Sequence, residues 1–95
     1  MKVTYYGLVR NVVGLREEEV TLSPEATVRD LLRVLVERHG NGLRDSLLAS
    51  EGNLRFTARI LLGEEDIGEM GGLDTKVDTH QRASIVVVVY PVEGG

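Results

Sequence analysis

Ninety-five residues, 42% of them apolar and 27% charged, suffice for one globular domain with a buried core and exclude a disordered chain. The absence of Cys excludes disulfides, thiolate metal sites and a cysteine nucleophile, and leaves Met1 and Met70 as the only sulfur. A net charge of −4, with nine Arg and two Lys scattered along the chain, argues against nucleic acid as a partner. No apolar run approaches the roughly 18 residues of a membrane span, and no signal-peptide core opens the chain, so the expectation is a cytoplasmic protein with no membrane partner.

Lys2 to Val9 alternates as a strand, with Val3 and Tyr5 on one face and Thr4, Tyr6 and Leu8 on the other. Asn11 to Leu15 reads as a turn around Gly14, and Glu17 to Leu22 as the second arm of a hairpin. In that arm Val20 and Leu22 point inward and Glu17-Glu18-Glu19 is a solvated strand start. Ser23-Pro24 then breaks the strand. Thr27 is a helix N-cap, with Asp30 as the reciprocal member of a short capping box. From there Val28, Leu31, Leu32, Leu35 and Val36 form one apolar helical stripe, which Gly40 ends. Leu43 to Ala49 predicts one or two further helical turns. Phe56 to Leu62 is a third strand, with Ala58, Ile60 and Leu62 sharing a face. Gly63 to Leu73 is glycine-rich and acidic, with a short edge strand around Ile67, and Leu73-Asp74-Thr75 a helical turn.

The last strand, Ile85-Val86-Val87-Val88-Val89-Tyr90, is an unbroken β-branched run and reads as a central strand. Pro91 lacks the N–H that would extend its ladder. Pairing it parallel to the first strand, through a crossover that contains the helix, gives an α+β β-grasp: a mixed four- to five-stranded sheet with one main helix on one face. The expected organisation is a domain over residues 1–91 and a tail over 92–95. Both parities of the last strand are apolar, so either Val86, Val88 and Tyr90 or Ile85, Val87 and Val89 face the open side.

Candidate chemistry is sparse. Gly68-Glu69-Met70-Gly71-Gly72 lacks the Lys-Ser/Thr of a phosphate loop and sits among Glu65, Asp66 and Glu69, so it reads as a turn. His39 and His80 have no metal-ligand spacing, and no nucleophile-base pattern is present, so no catalytic residue and no metal ligand is expected. What remains is Gly94-Gly95. It reads either as an ordinary frayed terminus or as a carboxylate delivered into a narrow site, where the missing Cβ atoms leave both the channel and the carbonyl unobstructed. Extended, Val92 to Gly95 reach about 13–14 Å.

Taken together, Lys2-Val3-Thr4-Tyr5-Tyr6-Gly7-Leu8-Val9-Arg10, Ala26-Thr27-Val28-Arg29-Asp30-Leu31-Leu32, Gly71-Gly72-Leu73-Asp74-Thr75 and Pro91-Val92-Glu93-Gly94-Gly95 resemble the MoaD/ThiS-type sulfur carriers, which are ubiquitin-like β-grasp proteins. Within that family the chain is most similar to the molybdopterin synthase small subunit, and its length suits the molybdopterin or cysteine branches better than the thiazole branch. The resemblance implies that a MoeB/ThiF-like, ubiquitin-activating-type adenylyltransferase uses ATP to adenylate Gly95. A persulfide-type sulfur donor then displaces AMP and leaves a thiocarboxylate. The chain itself binds no cofactor. In the molybdenum-cofactor branch the tail enters a larger, MoaE-like synthase subunit, and other branches deliver sulfur to cysteine, thiazole or tRNA. The resemblance further implies that Tyr6, Val87 and Val89 on the open sheet face, with Pro91 and Val92, meet the partner. Departures at Leu62-Gly63-Glu64-Glu65, at Asp78-Thr79-His80-Gln81-Arg82 and at Tyr90 bear on the branch. A modifier conjugated through Gly95 to lysines is the alternative.

Overall fold

The computed structural model describes residues 1–77 and 82–87. They form one five-stranded sheet of order β2-β1-β5-β3-β4 with three helices. β1 (Lys2–Gly7) runs parallel to β5 (Arg82–Val87), with Lys2 opposite Arg82 and Gly7 opposite Val87. β3 (Ala58–Leu62) flanks β5 on its other side, antiparallel, with Ala58 opposite Val87. The strand the sequence reads as central is therefore hydrogen-bonded on both sides. It also begins earlier than its β-branched run, at Arg82, because Lys2 to Thr4 supply partners for Arg82 to Ser84. Val88 to Tyr90 lie outside the described residues.

The main helix α2 (Val28–His39) opens on the expected capping box: Thr27 Oγ1 accepts from the Asp30 N–H (3.3 Å), and Asp30 Oδ2 from the Thr27 N–H (2.9 Å). Its buried stripe, Val28, Leu31, Leu32 and Leu35, covers one sheet face, where Val3, Tyr5, Ile60 and Ile85 are fully buried. Gly40 closes it with a positive φ of 86°. α3 (Asn41–Leu47) follows, inserting Leu43 and Leu47 into the same core. Two 3-10 turns, Ile67–Glu69 and Gly72–Asp74, follow the short edge strand β4 (Glu65–Asp66). Thr75 to Val77 are then pinned beside the start of α2: the Val28 N–H donates to Thr75 O (2.9 Å) and the Val77 N–H to Ala26 O (2.8 Å).

The first connection is not a hairpin turn. Between β1 and β2 (Glu17–Glu19) lies a third helix, α1 (Leu8–Val13). Gly7 permits the departure, with φ 73° and ψ −145°, a region only glycine occupies at ease. A Cβ on Gly7 would sit 2.3 Å from the Val87 carbonyl oxygen. Val9 anchors α1 in the core, and Gly14, in the left-handed region, closes it with its N–H on Arg10 O (2.8 Å). Six residues with a single buried side chain leave too little periodicity to read from sequence. No helix among the described residues is long and apolar enough to cross a membrane.

Candidate functional site

The helices cover one face of the sheet and leave the other open. Side-chain alternation puts Lys2, Thr4 and Tyr6 of β1, Arg82, Ser84 and Val86 of β5, and Arg59 and Leu61 of β3 on the open side. Tyr6 is 43% exposed, on the open face where it was expected. Val87 is not on that surface. It is 7% exposed and shares the parity of Ala83 and Ile85, which face the core beneath α2, so Val86 is the open-face residue. Only the registers with β1 and β3 choose between the two apolar parities. Val89, Pro91, Val92, Gly94 and Gly95 lie outside the described residues, as does His80.

Around Tyr6 the structure adds two residues that the sequence did not single out. The Arg10 Cζ sits 5.9 Å from the Tyr6 ring centroid, and its Nε donates to the Tyr5 carbonyl (3.1 Å). Across the sheet, Arg59 lies opposite Val86, which lies opposite Tyr6. Arg59 Nη1 donates to the carbonyls of Phe56 (3.0 Å) and Ala58 (3.3 Å), while its Nε is 3.8 Å from Asp66 Oδ2. The row Arg10, Tyr6, Val86, Arg59 thus crosses the three central strands one residue before Val87. The inward alternation of Ala58, Ile60 and Leu62 implied an outward Arg59, but nothing in the sequence indicated that Arg10 would turn back over Tyr6. On these three strands the open-face charges are all cationic (Lys2, Arg59, Arg82). The acids of this face sit on the edge strands, where Glu17 pairs with Lys2 (3.2 Å) and Asp66 lies near Arg59.

A second polar constellation lies on the covered side. Glu18 shares the parity of buried Val20 and is opposite buried Val3, so its carboxylate points toward the core; the reading of all three acids as solvated is corrected here. Its Oε2 accepts from the Tyr5 hydroxyl (2.5 Å) and pairs with His39 Nε2 (2.5 Å), and its Oε1 accepts from Arg38 Nη1 (2.9 Å). An ionised carboxylate only accepts, so His39 presents a protonated Nε2 to it. Desolvation alone would raise the Glu18 pKa, but the three donors outweigh it and hold the carboxyl below its ordinary value. Burial first, then Glu18, pushes the Tyr5 phenol well above the usual tyrosine range. With both carboxylate oxygens engaged, this cluster locks the C-terminal end of α2 to β1 and β2. No group of three or more His, Asp or Glu able to hold a metal occurs among the described residues. Leu32, Val36 and Leu48 line a groove of about 250 Å³ on the helical side, and Leu54, Phe56, Ile67 and Leu73 line a second of about 430 Å³.

No protein-family model and no curated protein sequence matches the chain. Solved structures do. A chain of the Amycolatopsis orientalis BexX/CysO complex superposes with a TM-score of 0.78 at 23% identity, covering 96% of this chain and 98% of that one. The small archaeal modifier protein 1 of Methanosarcina acetivorans gives 0.73 at 25% identity, covering 99% and 94%. A Pyrococcus furiosus chain assigned as molybdopterin converting factor subunit 1 gives 0.70 at 21%, covering 93% and 95%. The fold is the ubiquitin-like β-grasp. Its structural neighbours are of the MoaD/ThiS type.

Proposed function

We propose that this chain is a sulfur carrier whose terminal Gly95 is adenylated by a MoeB/ThiF-like enzyme and converted to a thiocarboxylate. In that chemistry the Gly95 carboxylate attacks the α-phosphate of ATP and releases pyrophosphate. A persulfide sulfur then displaces AMP to give an acyl disulfide, and a thiolate of the sulfur donor or activating enzyme attacks the donor-side sulfur, leaving C(O)S⁻ on the chain and a new disulfide on the donor side. The observation that carries the reading is the position of β5. Hydrogen-bonded to β1 on one side and β3 on the other, it fixes the start of the segment that runs on to Gly94-Gly95. A rigid base with side-chain-free residues at the tip suits insertion into a partner's active site. Use as the small subunit of a molybdopterin synthase, with a larger MoaE-like subunit as acceptor, is supported by chain length and by the P. furiosus neighbour.

A modifier role, with Gly95 joined to lysines of other proteins, shares the activation step and is favoured by the modifier-protein neighbour at 25% identity. Incubation with the activating enzyme, ATP and a persulfide donor distinguishes the outcomes by intact mass. A gain equal to the difference between one sulfur and one oxygen is the expected result, and Gly95→Ala is expected to keep the fold while loading poorly. An unchanged mass despite AMP production would refute the carrier role, and Gly-Gly remnants on substrate lysines would establish the modifier.

A further inference from the structure

We propose that Arg10 and Arg59 form a two-point clamp for carboxylates on the protein that takes up the C-terminal segment. The inference rests on the carrier reading above and specifies the chemistry of its partner surface. Three observations lead to it. First, the two guanidinium groups flank an apolar and aromatic centre, Tyr6 and Val86, along one cross-strand row. β1, β5 and β3 are adjacent strands, so the Tyr6 and Arg59 backbones are about 10 Å apart.

Second, both cations are held chiefly by neutral groups. Arg10 is fixed by the Tyr5 carbonyl and the Tyr6 ring, and Arg59 by the carbonyls of Phe56 and Ala58. Each guanidinium has five N–H donors, of which those bonds use one or two, so the charges are positioned in advance and keep donors for a partner. Among the described residues the acid paired with either of them is Asp66, 3.8 Å from Arg59 in a partly exposed pair that contributes little.

Third, the row lies one residue before Val87, where the described part of β5 stops short of the Gly-Gly segment. A protein that accepts that segment and also covers the adjoining end of the open face meets this row. The chain's net charge of −4 and the edge acids Glu17, Glu19 and Asp66 oppose a nucleic-acid backbone on the same face. A compact surface with an apolar centre and carboxylates on two sides complements it.

The test measures adenylation kinetics with the cognate MoeB/ThiF-like enzyme, and its direct binding to a carrier lacking Gly94 and Gly95. Arg10→Glu and Arg59→Glu are each expected to raise KM for the carrier roughly tenfold with kcat unchanged, and to weaken direct binding in parallel. The wild-type affinity should fall with added salt, and this dependence should flatten in the double variant. Arg10→Lys and Arg59→Lys, which keep the charge, should recover part of the loss, and amide NMR spectra verify that each variant is folded. Unchanged KM and binding in folded reversal variants would overturn the clamp while leaving the carrier reading intact. If the wild type fails to load but the truncated chain binds in a salt- and arginine-dependent way, the carrier reading fails and the clamp stands. Absence of both loading and binding overturns both. Duplex DNA shifting the Tyr6 and Val86 signals as strongly as the enzyme does would overturn the carboxylate assignment.

Discussion

Replacing Glu18 by Gln should separate an internal lock from a solvated acid. In the wild type one carboxylate receives hydrogen bonds from Tyr5, His39 and Arg38, with only 11% of its side chain exposed. Gln is nearly isosteric but neutral, and its amide nitrogen turns a donor toward groups that are themselves donors. A buried hydrogen bond to a charged group contributes about 1.5–3 kcal/mol, and losing one outright while weakening the others should cost about 2 kcal/mol in all. In a domain of this size that lowers Tm by roughly 8–16 °C. The pH dependence is the sharper test. The Glu18 pKa is lower in the folded state than in the unfolded one, so its stabilisation is fully present above the unfolded value of about 4.3 and is lost as pH falls through the folded value. Urea unfolding followed by far-UV circular dichroism should show a gap between wild type and variant at pH 5 that narrows toward pH 3. A variant as stable as wild type at pH 5, or a gap unchanged at pH 3, would refute the network as described.

Two further substitutions test the elements that place the site. Gly7→Ala puts a methyl group 2.3 Å from the Val87 carbonyl oxygen at a φ of +73°, and should cost more than about 3 kcal/mol through displacement of the β1–β5 ladder. Denaturant unfolding measures it, and a loss below about 1 kcal/mol would contradict the close approach. Thr27→Ala removes the acceptor for the Asp30 N–H and should cost about 1 kcal/mol. An equally stable Thr27→Ala protein would mean that the α2 capping box contributes nothing measurable.

The elements readable in the sequence are those whose physics is local. The α2 boundaries follow from Thr27, Asp30 and Gly40, and its buried stripe from the 3.6-residue period, because capping and amphipathicity are properties of a dozen consecutive residues. The inward face of β3 follows likewise from strict alternation, and the apolar run from Ile85 onward marks a central strand before any partner strand is known. The Gly-Gly end, too, is a feature of sequence alone.

What depended on tertiary structure is whatever two distant segments decide jointly. With both parities of β5 apolar, only its registers against β1 and β3 turn Val87 into the core and Val86 outward. Glu18 resembles its neighbours Glu17 and Glu19 until strand pairing sets it beside Tyr5, His39 and Arg38, contributed by β1 and the end of α2. The basic residues are scattered in the chain because their clustering is made by topology. Parallel pairing of the terminal strands, an outward β3 face and the turn of α1 back over Tyr6 bring Arg10 and Arg59 to either side of one row. Local preference can specify a strand or a helix, but which face a side chain takes and what it meets there are settled only when the strands pair.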